Sequence, residues 1–306
     1  MRKPNAGRII WAVDPFPEDA ALQFKTLRAI NAVWGDGEAS VEPVCVVRPN
    51  LSLTVEAGGG LAIEKALARR VARAGESRLL PLTVLVQEQH SLSHSVETLL
   101  RHAQHTGASV IAVSTHARTR LLRLALGSFA ETLLLRSQIP TLIVNPDVST
   151  ARARPLRRLL FPTDFSEGSR RAFRDVLSLA RRRAARVTLF YQFEYLAPET
   201  ADQIHGSAIH QQFFERDLAA KRTTAESWSK AAARAGVSVD VILSQEPGFV
   251  PDAILATAAR SKAGLIAMAS QSGAVAATLL GSVVRRIVRE APCPVWVIHP
   301  AASRTS

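Results

Sequence analysis

The sequence predicts an α/β protein made of two doubly wound domains in tandem, each with a five-stranded parallel sheet. Three observations carry this reading. Apolar runs alternate with helical patterns along the whole chain. The closing segment of the first half recurs in the second. Both halves open on an apolar strand that ends in Asp. Strands alternating with helices imply a parallel sheet covered on both faces. A repeat at long period points to duplication of a whole unit.

The repeat is direct. Residues 127–146 and 281–300 each begin Gly-Ser and run through a helical segment. Each then gives Pro, four residues that are apolar except for Thr141, one polar residue and Pro, at a constant offset of 154. Ile9-Ile10-Trp11-Ala12-Val13-Asp14 and Leu159-Leu160-Phe161-Pro162-Thr163-Asp164 match at an offset of 150. The small difference between offsets is loop variation. Domain one is expected over 1–147 and domain two over 156–306, with a linker of Arg and Pro over 148–155.

In the first half, strands are expected near 8–13, 40–48, 79–87, 109–114 and 140–145. Helices are expected near 18–34, 61–74, 91–106 and 127–137. Phe24, Leu27 and Ile30 form one face of the first helix. In the second half, strands are expected at 158–162, 187–193, 238–243, 264–269 and 294–299. Helices follow near 167–184, 210–235, 250–262 and 281–291. Phe173, Val176, Leu177 and Ala180 share a face at helical spacing. In such a fold, ligands bind beyond the carboxyl ends of the strands, where strand order reverses.

Composition narrows the classes. The chain has 306 residues, of which 47% are hydrophobic. No apolar stretch approaches the roughly 18–20 residues needed to span a bilayer. The N-terminus lacks a secretory apolar core, so a cytoplasmic location without membrane association is the expectation. Cys45 and Cys293 lie in apolar runs and read as buried strand residues. Net charge is +12, mostly from Arg, with runs at Arg152–Arg158, Arg170–Arg174 and Arg181–Arg186. Those runs hold one aromatic, Phe173, so nucleic acid is not the expected partner, with association through the Arg-rich linker and the helix after it as a further possibility. Solvated helix faces and a linker account for most of the charge. His90, His94, His102, His105, His205 and His210 lie in polar surroundings without a ligand pattern. His299 closes the last strand and is expected to face outward.

A strand ending in Asp, a late Gly-Ser opening a helix and a closing Cys-Pro-Val-x-Val-Ile together resemble the universal stress protein family. The second half carries this most clearly, in Leu160-Phe161-Pro162-Thr163-Asp164-Phe165-Ser166-Glu167 and Ala291-Pro292-Cys293-Pro294-Val295-Trp296-Val297-Ile298. The resemblance runs over nearly the whole chain, twice. It implies an adenine nucleotide alpha hydrolase-like fold and a stress-response regulatory role. It also implies that the two domains meet along their last strands, 140–145 against 294–299. That arrangement would be an intramolecular pseudo-dimer, with further homodimer association left open.

ATP-binding members of the family read adenine near the strand-one Asp. They hold phosphates on a Gly-x2-Gly-x9-Gly-Ser/Thr loop, where glycine lets the backbone approach closely and a helix N-terminus holds the anion. The positions matching here are Asp14 with Ser114, Ala117, Gly127 and Ser128 in the first half. His116 and Arg118 fall where the family often carries His and Arg. In the second half they are Thr163 and Asp164 with Gly281 and Ser282. Counting back from Gly281 puts Met268 and Gln271 at the glycine positions. A one-residue deletion puts Ala269 and Ser272 there, with Ser270 between them. Both loops have lost glycines. Each Gly-Ser also reads as a plain helix entry with Ser as cap, and each Asp as a turn residue.

No nucleophile elbow, P-loop or zinc-protease motif occurs, so the chain reads as a binding or regulatory protein rather than an enzyme. Slow ATP hydrolysis is compatible with that reading. ATP or another adenine nucleotide is the candidate ligand, through degenerate sites, with no cofactor required. The alternative is a nucleotide-independent module that binds another small ligand or a protein.

Overall fold

A computed structural model describes residues 7–14, 20–35, 39–47, 79–87, 89, 91–115, 128–148, 155–193, 208–270 and 281–299. In the first half, β1 (Arg8–Ala12), α1 (Ala20–Trp34), β2 (Val41–Val47) and β3 (Thr83–Val86) are followed by α2 (Leu92–His105), β4 (Ala108–Ser114), α3 (Ser128–Arg136) and β5 (Thr141–Val144). The second half runs β6 (Arg158–Pro162), α4 (Glu167–Arg183), β7 (Arg186–Gln192), α5 (Ala208–Arg234), β8 (Val239–Ser244), α6 (Val250–Arg260), β9 (Leu265–Ala269), α7 (Ser282–Glu290) and β10 (Val295–Ile298). The expected helix 61–74 lies outside the described residues, as do the linker residues 149–154.

The ten strands form one sheet in the order β3-β2-β1-β4-β5-β10-β9-β6-β7-β8. Within each half all pairings are parallel. The halves join through the antiparallel pair β5–β10, with Leu142 opposite Trp296. An apolar edge strand left open invites association; here each half covers the edge of the other. Strand order reverses between β1 and β4 and again between β6 and β9.

Two apolar layers follow from this sheet. Leu27, Ile30 and Val33 of α1, Phe173, Val176 and Leu179 of α4, and Trp228 and Ala232 of α5 pack on one face. Val96 and Leu99 of α2, Leu133 of α3, Ile254 of α6, and Ile287 and Val288 of α7 pack on the other. These are the i, i+3, i+4 positions of amphipathic helices, so one stripe of each is buried and the rest stays wet.

The halves also grip through side chains. Trp34 meets Trp296 edge to face. Asn145 Nδ2 donates to the carbonyls of Val288 (3.2 Å) and Ala291 (2.9 Å), which satisfies the end of α7 from the other half. Arg183 Nη2 donates to the Ala32 carbonyl at the end of α1. The Leu156 N–H donates to the same carbonyl, at 3.0 Å.

Two expectations are corrected. His299 does not face outward: its Nε2 is buried and has no hydrogen-bond partner among the described residues, because β10 lies inside the joined sheet. Arg183 is not a solvated helix-face charge, because the junction of α1 and α4 turns its guanidinium inward. His210 falls within α5. Cys45 and Cys293 are buried as expected.

Candidate functional site

The two aspartates occupy the same place in each half. Asp14 follows β1 by two residues, and Asp164 follows β6 by two residues. The Val13 N–H donates to Val44 of β2, and the Thr163 N–H to Phe190 of β7, each at 2.9 Å. Both carboxylates therefore sit at the carboxyl edge of the sheet beside the point where strand order reverses.

Asp164 is held by its own loop. Its Oδ1 accepts from the Ser166 N–H (2.9 Å) and from Ser169 Oγ (2.5 Å). Ser166 is the N-cap of α4 and accepts from the Ser169 N–H. Thr163 Oγ1 accepts from the Phe165 N–H (2.9 Å). Together these bonds fold the strand-to-helix turn, with Phe165 left-handed at φ +60. Partial burial raises the Asp164 carboxyl, but the bonds from Ser169 and Ser166 outweigh it and hold the group below the usual value. It is an ionised acceptor, and a carboxylate has about four lone-pair sites.

Asp14 is half-buried, and its backbone carbonyl accepts from Gln23 Nε2 (2.6 Å). Its charge reaches β2: burial first, then Asp14, pushes the Cys45 thiol up to about 12. That thiol stays protonated and inert at neutral pH.

Sheet register settles which second-half residues match the first-half loop. Ser114 pairs with Val144 of β5, and Ala269 pairs with Ile298 of β10. The next N–H groups, of Thr115 and Ser270, donate to those same two carbonyls at 3.0 and 2.8 Å. Ala269, not Met268, is therefore the counterpart of Ser114. The stretch from there to the Gly-Ser pair is one residue shorter in the second half. His116, Ala117, Arg118, Gly127 and Ser272 lie outside the described residues.

The helices after these loops begin at the same edge. Ser128 opens α3, and Ser282 opens α7. In α7 the N-cap is Gly281, with no side-chain cap among the described residues. The expected Ser cap is thus corrected: Ser282 lies inside the first turn, where its hydroxyl cannot reach back over the cap position. The first N–H groups of such a helix can receive an anion.

Sequence reasoning missed Tyr191 and Lys221. Phe165 lies 5.5 Å from Tyr191 and 5.3 Å from Trp228, between ring centroids. Lys221 Nζ stands 4.9 Å over the Tyr191 ring. These residues come from α4's entry, β7 and α5, and no local pattern links them. Among the described residues no group of three or more His, Cys, Asp or Glu could hold a metal ion. His102 instead meets Glu42 at 2.9 Å, and His94 lies against its own cap, Ser91. No helix among the described residues is long and apolar enough to cross a membrane.

Comparison with known proteins places this geometry. The model of the universal stress protein family matches residues 7–145 and again 155–299. A universal stress protein from the QAH/OAS sulfhydrylase 3′ region of Thermus aquaticus is 31% identical over 146 residues, covering 47% of this chain and 98% of that protein. The crystal structure of a universal stress protein from Archaeoglobus fulgidus superposes with a TM-score of 0.63 at 18% identity, covering 98% of each chain. A functionally unknown protein from Pseudomonas aeruginosa gives a TM-score of 0.63 at 15% identity, covering 96% of this chain and 92% of that one. At these identities the two structures speak for the fold alone.

Proposed function

This chain belongs to the universal stress protein family, with two copies of its domain, and on that premise we propose that it is a regulatory module that binds an adenine nucleotide at the carboxyl edge of its sheet. The observation that carries the reading is the paired placement of Asp14 and Asp164 where strand order reverses. An ionised carboxylate there accepts from the adenine amine or the ribose hydroxyls. The uncapped start of α7 beyond Ala269 and Ser270 supplies N–H donors for phosphate. Ser128 and Ser282 add hydroxyls at the corresponding helix starts. ATP is the ligand we favour, held for sensing rather than turnover. Among the described residues of this arrangement no base is paired with a nucleophile for rapid hydrolysis.

The second reading is an interaction module without nucleotide. One observation favours it for the second half: Asp164 Oδ1 is already used in the turn, so its first role there is structural.

Displacement of a fluorescent ATP analogue tests the proposal. ATP should displace the analogue from the wild-type chain, and Asp14→Ala or Asp164→Ala should weaken the half it belongs to. An analogue that never binds, from protein stripped of nucleotide, contradicts the reading and leaves the second.

A further inference from the structure

Charge is divided unequally between the two helical layers. The helices α1, α4 and α5 cover one face and carry thirteen Lys and Arg against five Asp and Glu, an excess of eight. The helices α2, α3, α6 and α7 cover the other and carry six against four, an excess of two. Pairing sharpens the contrast. On the second layer Arg136 meets Glu97, Arg285 meets Glu131, Arg286 meets Asp252 and Glu290, and Arg289 meets Glu290. On the first, Arg170 and Arg171 share the single carboxylate of Glu167. Arg28 and Arg181 are exposed and have no ion-pair partner among the described residues, and Arg174 is exposed beside the carboxylate of Asp175.

These groups form one surface. Arg170 to Arg182 spans twelve residues of α4, about 18 Å of helix. The bond from Arg183 to the Ala32 carbonyl seats the ends of α4 and α1 together. Arg28 lies one turn before Ala32, so the basic stripe continues across the junction between the halves. Asp175 is the only acid between Arg174 and Arg182.

We propose that the outer surface of α4 and α1, extended by α5, docks the sugar-phosphate backbone of double-stranded nucleic acid without reading its sequence. Ten of the thirteen cations are Arg, nine of them besides the inward-turned Arg183, and a planar guanidinium fork matches phosphate oxygens in pairs. A duplex offers about one charge per 1.7 Å of axis, so a stripe of this length faces several phosphates. The scarcity of aromatics bears on single strands, which bind by stacking, and not on duplexes. A lipid surface fits less well, because insertion needs apolar side chains beside the cations. Among the described residues the exposed large apolar side chains are Val86, Phe213, Val241 and Phe249; only Phe213, near the start of α5, lies on this surface, and none lies on α1 or α4.

Fluorescence anisotropy of a labelled 20-base-pair DNA duplex, titrated with the full chain, tests this. About four phosphate contacts predict an affinity that falls about 100-fold between 50 and 200 mM salt. Arg174→Gln with Arg181→Gln should weaken binding at least about 10-fold and flatten the salt slope by about two. Arg101→Gln with Arg260→Gln makes the same charge change on the opposite layer, and should stay within about 3-fold of wild type. An RNA duplex of the same sequence tells which nucleic acid is preferred; dependence on Arg174 and Arg181 with either supports the proposal. No duplex binding at 50 mM salt, or equal losses from the two variant pairs, overturns it. Binding to phosphatidylserine vesicles but not to duplexes also overturns it.

Discussion

The rings of Trp34 and Trp296 meet across the junction of the two halves with centroids 5.9 Å apart and planes at 88°. Trp34 ends α1 in the first half, and Trp296 sits in β10 of the second. Edge-to-face contact puts a positive ring edge on a negative face. The two halves thus share one core rather than touching at a surface.

Trp296→Ala should cost about 3–5 kcal/mol, because Trp296 is buried in that core. A double-mutant cycle with Trp34→Ala, measured by denaturant unfolding, should return about 0.5–1.5 kcal/mol of coupling. The unfolding should remain one transition for both halves. Two separated transitions in the wild type would contradict a shared core.

Gly35 follows Trp34 at φ +83, and a Cβ built there would lie 2.3 Å from Arg183 Nη1. Gly35→Ala should destabilise by about 1–2 kcal/mol, chiefly from the left-handed backbone. The Arg183 tip is flexible and can move away, so Arg183→Ala should restore only a minor part. Thermal denaturation of the two single variants and the double reads this directly.

Ser169→Ala removes a donor from Asp164 and should cost about 1 kcal/mol, as loss of a capping contact does. The sign with pH follows. A carboxyl held below its unfolded value adds stability above that value and loses it as pH falls through the folded one. The stability gap between wild type and Ser169→Ala should therefore narrow below about pH 4. A gap unchanged from pH 7 to 3 would contradict an ionised Asp164.

His299 is the counterpart of Asn145, which donates to two carbonyls across the junction. Burial lowers the imidazole from 6.5 to about 4. A base so lowered adds stability above its unfolded value, and that stability drains as pH falls from 6.5 toward 4. His299→Asn should flatten the loss of stability over that window, as urea midpoints at pH 7, 6, 5 and 4 would show. An unchanged slope would mean that the ring charges freely in the fold.

Much of this was legible because it repeats. The family resemblance implied that 140–145 and 294–299 pair, and a short apolar edge that needs cover supplies the physical motive. The strand-one aspartates were legible from their matching ends. The register of the second loop was not, because Met268 and Ala269 fit equally well until β9 was laid against β10. The inward turn of Arg183 was hidden for the same reason, because it depends on where α1 ends, about 150 residues away. Lys221 over Tyr191 is likewise a product of packing between α5 and β7.

Calorimetric titration of the full chain with ATP, after any bound nucleotide has been removed, bears most directly on the central claim. The account predicts binding that weakens in Asp14→Ala or Asp164→Ala and vanishes when both are changed, with circular dichroism unaltered. Heat that is absent in the wild type, or unchanged in the double variant, would contradict it.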